Sequence, residues 1–141
     1  MSLVYWDTML FIYWLEAHPQ YGRRVNQIYR RMSERGDQLC TSVFTLGEIL
    51  TGAYKTGRTK EAQSIRSFFE SDGIRILLFN TEAADRYAKI RAQHNVLPAD
   101  AIHLAAASVA QVDLYLTNDA RLKKLLIEGI QFIAGLDSSI L

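Results

Sequence analysis

The chain predicts an α/β domain built on a central, mainly parallel sheet of five strands. Short, bulky apolar runs recur along it, helical patterns separate them, and turn residues mark the junctions. Its 141 residues, 49% hydrophobic and 22% charged, fit a single domain over 1–141 whose core needs no disulfide or metal staple. No internal repeat, charge run or linker divides it.

Leu3–Trp6 reads as a buried strand ending at Asp7. Met9–Ala17 reads as a helix stopped near Pro19. A second helix fits Tyr21–Glu34, with Val25, Ile28, Tyr29 and Met32 as its apolar positions and Gly36 as its close. Gln38–Val43 is the next strand. Thr45 then caps a helix in which Glu48 stands three residues on, at capping-box spacing. Helical pattern returns over Thr59–Phe69 and breaks at Asp72-Gly73. Ile74–Phe79 is a strand, Thr81–Gln93 a helix, and Pro98 precedes a helix over Asp100–Ala110. Asp113–Leu116 is a strand, Ala120–Ile127 a helix, and Ile130–Ile133 the last strand after Gly129.

Composition excludes a disordered, collagenous or low-complexity chain. The single Cys40 forms no internal disulfide and belongs to no cysteine zinc set, which fits a reducing, cytoplasmic setting. Sixteen Lys and Arg against fifteen Asp and Glu leave a formal charge of +1, so bulk charge demands neither nucleic acid nor membrane. Met1–Leu15 is apolar but lacks a basic lead, and Asp7 within it would cost a membrane span about 2.5–3.5 kcal/mol. The expectation is a soluble protein with no membrane partner.

In an open parallel sheet, ligands bind beyond the carboxyl ends of the strands. Asp7 ends the first strand, and Glu48 lies in the helix after the second. Asp119 follows the fourth strand in Leu116-Thr117-Asn118-Asp119, and Asp100 opens the helix before that strand. Each of these has an ordinary reading as well. Asp100 suits a helix N-terminus, Glu48 a capping box and Asp119 a turn, whereas Asp7 interrupts an otherwise apolar stretch. Four carboxylates gathered in a half-buried pocket cannot all stay ionised without a cation, and oxygen-only donors suit Mg²⁺ or Mn²⁺ rather than zinc. Such a pocket points to phosphoryl chemistry.

Asp7-Thr8, Thr41–Glu48 (TSVFTLGE), Asp100–Ala107 (DAIHLAAA) and Leu116–Asp119 (LTND) together resemble the PIN-domain family, and more narrowly its VapC-type ribonuclease toxins of bacterial and archaeal toxin–antitoxin pairs. The resemblance covers nearly the whole chain. It implies a three-layer α/β/α sandwich and an Mg²⁺- or Mn²⁺-dependent endoribonuclease that cleaves by attack of a metal-bound water, leaving 5′-phosphate and 3′-hydroxyl ends. By position, Asp7, Glu48, Asp100 and Asp119 match the family's catalytic and metal-binding acids, and Thr8 and Asn118 its accessory polar positions. Met9 departs from the family, which often carries Asn or Ser there. The resemblance further implies an antitoxin partner and a homodimer. The alternatives are a non-catalytic RNA-binding or protein-docking PIN module, and a PIN nuclease acting on DNA or structured ends.

Gly52–Thr59 (GAYKTGRT) nearly matches a phosphate-binding loop, but it lies between two helices and carries Arg58 where lysine belongs. His103 shares a helix face with Asp100, and a buried, hydrogen-bonded histidine is the simpler reading. Arg23, Arg24, Arg30 and Arg31 repeat at seven-residue spacing and form one basic stripe. Lys55, Arg58 and Lys60, and then Arg121, Lys123 and Lys124, add two patches near the Glu48 and Asp119 elements. These groups are candidates for an RNA backbone, against the commoner role of a solvated helix face. Met9–Leu15 (MLFIYWL) is too apolar for a solvent face. It either packs into the core or offers a dimer surface or a groove for an antitoxin peptide.

Overall fold

The structure, a computed structural model, describes Met1–Leu141. Strands β1 (Leu3–Trp6), β2 (Gln38–Ser42), β3 (Ile74–Leu77), β4 (Leu114–Leu116) and β5 (Phe132–Ala134) form one sheet. Their order is β3-β2-β1-β4-β5, with every neighbouring pair parallel. The helices are α1 (Thr8–Leu15), α2 (Gly22–Arg35), α3 (Val43–Lys55), α4 (Thr59–Phe69), α5 (Thr81–Gln93) and α6 (Pro98–Ala110). None of them is long and apolar enough to cross a membrane.

Side chains alternate across a strand, so a sheet covered on both faces needs apolar residues at every position. β1 shows the consequence. Val4 and Trp6 enter one core with Leu10, Phe11, Val25, Ile28 and Phe69, while Tyr5 enters another with Leu104, Ala105 and Tyr115. The first core lies under α1–α4 and the second under α5 and α6, which makes three layers. Five buried alanine and leucine positions on α6, Ala101 and Leu104 to Ala107, let that helix approach the sheet closely. The chain winds outward from β1 through β2 to β3 and then returns to lay β4 on the other side of β1. The strand order therefore reverses at the β1–β4 junction, the place where such sheets bind ligands.

Four local expectations need correction. Ser42, not Thr45, caps α3: its Oγ accepts from Phe44 N at 3.0 Å, and Thr45 lies inside the helix bonded to Thr41 Oγ1 at 2.6 Å. The strand's own last residue already satisfies the helix start, so no capping box forms. In place of a helix over Ala120–Ile127 there is one 3₁₀ turn, Leu122–Lys124, followed by extended chain. Leu122 and Ile127 are both buried, yet five residues apart they cannot share a helix face, so packing overrides helix propensity. The last strand starts two residues later, at Phe132, because the turn through Gly129 (φ 90°) first buries Ile127 and Ile130. Strand β3 stops at Leu77, leaving Leu78 exposed. On α1, Leu10, Phe11 and Tyr13 pack inward, whereas Met9 and Leu15 stay exposed.

Candidate active site

Asp7, Asp100, Asn118 and Asp119 rim one open depression at the β1–β4 junction, with Met9, Tyr13 and Arg121. Asp7 reaches it because β1 ends there, and the backbone N–H of Asp7 still donates to Leu116 O of β4 at 3.2 Å. Asp7 is also the N-cap of α1, its Oδ1 accepting from Met9 N at 3.1 Å and Leu10 N at 3.4 Å. The ordinary capping role that the sequence offered for other acids is therefore found at Asp7. Asp100 reaches the same pole because α6 must deliver the chain to the start of β4, which places the first turn of α6 beyond the strands' carboxyl ends.

The electrostatics divide the acids into two kinds. Burial pushes the Asp7 carboxyl above the ordinary aspartate range, against the hydrogen bond from Thr117 and the two capping amides. Burial and then the like charge of Asp119 raise Asp100. Neither forms an ion pair. Asp119, by contrast, is held low by Arg121, whose backbone N, Nε and Nη2 donate to it at 2.9, 3.1 and 2.8 Å. Burial opposes ionisation of Glu48, but hydrogen bonds from His103 and Thr8 outweigh it and lower its pKa.

Glu48 lies beside the depression rather than on its rim. Its Oε1 accepts from Thr8 Oγ1 at 2.5 Å and bonds His103 Nε2 at 2.6 Å. Thr8 follows Asp7 directly, which couples Glu48 to the β1 end. Asn118 Nδ2 donates to the Tyr13 hydroxyl at 3.2 Å, and Thr117 Oγ1 accepts from Asp119 N at 3.1 Å. Beneath the acids, the Tyr115 hydroxyl is fully buried with no hydrogen-bond partner. Burial raises its pKa, reinforced by Tyr5 and by the charges of Asp7, Asp100 and Glu48, so the fields of three carboxylates converge on this floor.

No three carboxylates or imidazoles stand close enough to form a ready-made metal cage. The donor set nevertheless fits Mg²⁺, which keeps several waters and is held by one or two carboxylates. Asp7 and Asp100 are two such groups, hard oxygen donors whose ionised forms are disfavoured by burial and which form no ion pair. Sequence reasoning did not single out Tyr5, Thr117 or Tyr115. The signal for Tyr5 was present, since it stands two residues before Asp7 and shares its side of the strand.

Of the basic candidates, Arg23, Arg30 and Arg31 are exposed on α2. Arg24 turns away from them and donates to the carbonyls of Leu136, Ser138 and Leu141. Arg58 pairs with Glu61 at 2.8 Å, Arg121 with Asp119, and Lys123 stands 3.9 Å from Asp137. The thiol of Cys40 is buried and pushed up to about 12, so it is no nucleophile.

The chain matches the PIN domain family model over residues 4–126. No curated protein sequence matches it. It is similar in structure to VapBC2 from Rickettsia felis bound to a DNA fragment from its promoter, with a TM-score of 0.76 at 16% identity over 94% of this chain and 98% of that one. DNA-bound VapBC from Salmonella typhimurium gives 0.75 at 23% identity over 96% and 99%. VapC20 of Mycobacterium tuberculosis, a sarcin–ricin loop cleaving toxin, gives 0.69 at 13% identity over 87% and 96%.

Proposed function

The chain belongs to the PIN-domain family, and from that premise we propose that it is a metal-dependent endoribonuclease, the toxin of a cytoplasmic toxin–antitoxin pair. The observation that carries this reading is the pair Asp7 and Asp100. Two carboxylates are held partly desolvated at the strand-order reversal, neither of them in an ion pair, with Arg121 engaged by Asp119 and with Glu48 close by. A protein spends stability on such an arrangement when a cation is to bind there.

Asp7 and Asp100 would hold Mg²⁺ or Mn²⁺, with Asp119 and Glu48 completing the acidic surround. When bound, the ion lowers the pKa of water and shields charge on a departing oxygen. Thr8 orients Glu48 through the 2.5 Å bond, and Asn118 stands at the rim against Tyr13. The exposed arginines of α2 and Lys123 supply cations for the RNA backbone. Between α1, α3 and α4 runs a groove of about 530 Å³ lined by Ile12, Leu15, Ile49 and Ile65, with Glu48 and Arg58 at its wall. An apolar groove with a candidate catalytic acid in its wall suits an antitoxin segment that blocks the site while docking. Light scattering on the isolated chain checks the expected homodimer.

The test pairs RNA and DNA of one sequence, with Mg²⁺, Mn²⁺ or EDTA, on wild type, Asp7→Asn and Asp100→Asn. Cleavage of RNA alone, only with metal, and lost in both variants while their melting stays cooperative, is the expected result. Equal cutting of DNA would remove the ribonuclease assignment. Absence of metal binding by calorimetry would leave a non-catalytic docking module.

A further inference from the structure

We propose that Tyr5 and His103 form a positioning relay that dictates which oxygen of Glu48 faces the bound ion and substrate. The inference rests on the metal-site reading above and goes beyond it, because neither residue reaches the depression itself. His103 is buried on α6 with both ring nitrogens engaged: Nδ1 lies 2.6 Å from the Tyr5 hydroxyl, and Nε2 lies 2.6 Å from Glu48 Oε1 and 3.2 Å from Thr8 Oγ1.

The relay sets one direction for each of its protons. Ser42 N–H can only donate, and it donates to the Tyr5 oxygen at 3.2 Å. The relay assigns the phenolic proton of Tyr5 to His103 Nδ1, with the imidazole nitrogen as acceptor, and this is the direction the tautomer measurement below tests. A neutral imidazole that accepts at Nδ1 carries its proton at Nε2, aimed at Glu48 Oε1. Thr8 donates to the same oxygen at 2.5 Å. Oε1 is thereby saturated by two donors, and Oε2, which has no partner within the protein, is the oxygen left for a ligand. Tyr5 is itself fixed, stacked on Tyr115 with ring centroids 4.9 Å apart and planes 6° apart. The relay so joins the β1–β4 floor to α3 through α6, and together with Thr8 it fixes the rotation of the Glu48 carboxylate.

The first measurement is long-range ¹H–¹⁵N correlation of the three histidines in the metal-free protein, with His103 assigned by its loss in His103→Gln. The Nε2–H tautomer is expected in wild type, and a mixture of tautomers in Tyr5→Phe. An Nδ1–H tautomer or an imidazolium in wild type overturns the relay. The second is Mn²⁺ titration by calorimetry. His103→Gln places an amide N–H near the Nε2 position and should keep wild-type affinity, whereas His103→Leu should lose about 10–100-fold. RNA turnover should fall in His103→Leu with KM for RNA unchanged. Should the leucine variant not fold, Tyr5→Phe carries the comparison, with weaker Mn²⁺ binding expected. Equal Mn²⁺ affinity across wild type and every folded variant overturns the proposal, since a purely structural histidine would give that result. A wild type that binds no Mn²⁺ overturns the metal reading and the proposal together, whereas a wild type that binds Mn²⁺ no better than its folded variants overturns the proposal alone.

Discussion

Replacing Arg24 by alanine removes three hydrogen bonds that a guanidinium makes to the last turn of chain, from Nε to Leu136 O at 2.6 Å and from Nη2 to Ser138 O and Leu141 O at 3.0 Å. The freed carbonyls lie near the surface and regain water, so each bond is worth about 1 kcal/mol net, at the modest end for a charged donor. Leu136 and Leu141, both buried in the first core, lose their tether with them. Arg24→Ala should therefore destabilise by about 3 kcal/mol, or about 10 °C in melting temperature for a domain of this size. Arg23→Ala, one residue away and exposed, should stay within about 0.5 kcal/mol. Equilibrium urea unfolding of the two variants measures the contrast. RNA binding against salt supplies the second reading, because Arg24 is occupied by the chain end and its loss should leave the salt slope unchanged. If Arg24→Ala unfolds with Arg23→Ala and its slope drops by about one phosphate contact, the arginine serves RNA and the tail-clamp reasoning is wrong.

Asp7 and Asp100 have folded-state pKa values raised by burial, so the stability they contribute is complete below the ordinary aspartate range and is lost as pH rises through the raised values. Asp100→Asn should accordingly melt above wild type in EDTA at neutral pH, the gap closing toward about pH 4, and thermal melts across that range check it. Gly129→Ala should cost about 2–3 kcal/mol, because the residue sits at φ 90° and an added Cβ would meet the Ser108 carbonyl oxygen and lie 2.8 Å from its Oγ; a melting temperature equal to wild type would contradict this. Phe11→Ala should cost about 3–5 kcal/mol by urea unfolding, since its fully buried ring packs 5.2 Å from Trp6 and 5.0 Å from Phe69.

Much of the fold was legible in the residues themselves. Leu3–Trp6, Thr59–Phe69 and Thr81–Gln93 fall where their patterns put them, because an apolar run covered on both faces and a helix with strong turn punctuation carry their own signals. Gly36 ends α2 in the left-handed conformation for the same local reason. Boundaries failed where a distant surface decided the conformation. Ala120–Ile127 has helical composition, but beyond the turn Leu122–Lys124 the chain runs extended to carry Leu122, Ile127 and then Ile130 into the core beside α6.

The candidate site divides along the same line. Chain order alone puts Asp7, Asp100 and Asp119 at one pole of a parallel sheet, since each adjoins a strand end or the helix leading to one, and topology leaves no other place for them. Only the tertiary structure decides what each carboxylate meets. Asp119 meets Arg121 two residues on, Asp7 caps its own helix, and Glu48 is held by Thr8 and by a histidine 55 residues distant. Periodicity reports which face a residue occupies; the charge state and the proton direction of a half-buried acid depend on partners brought from across the sheet, and these exist only once the layers have packed.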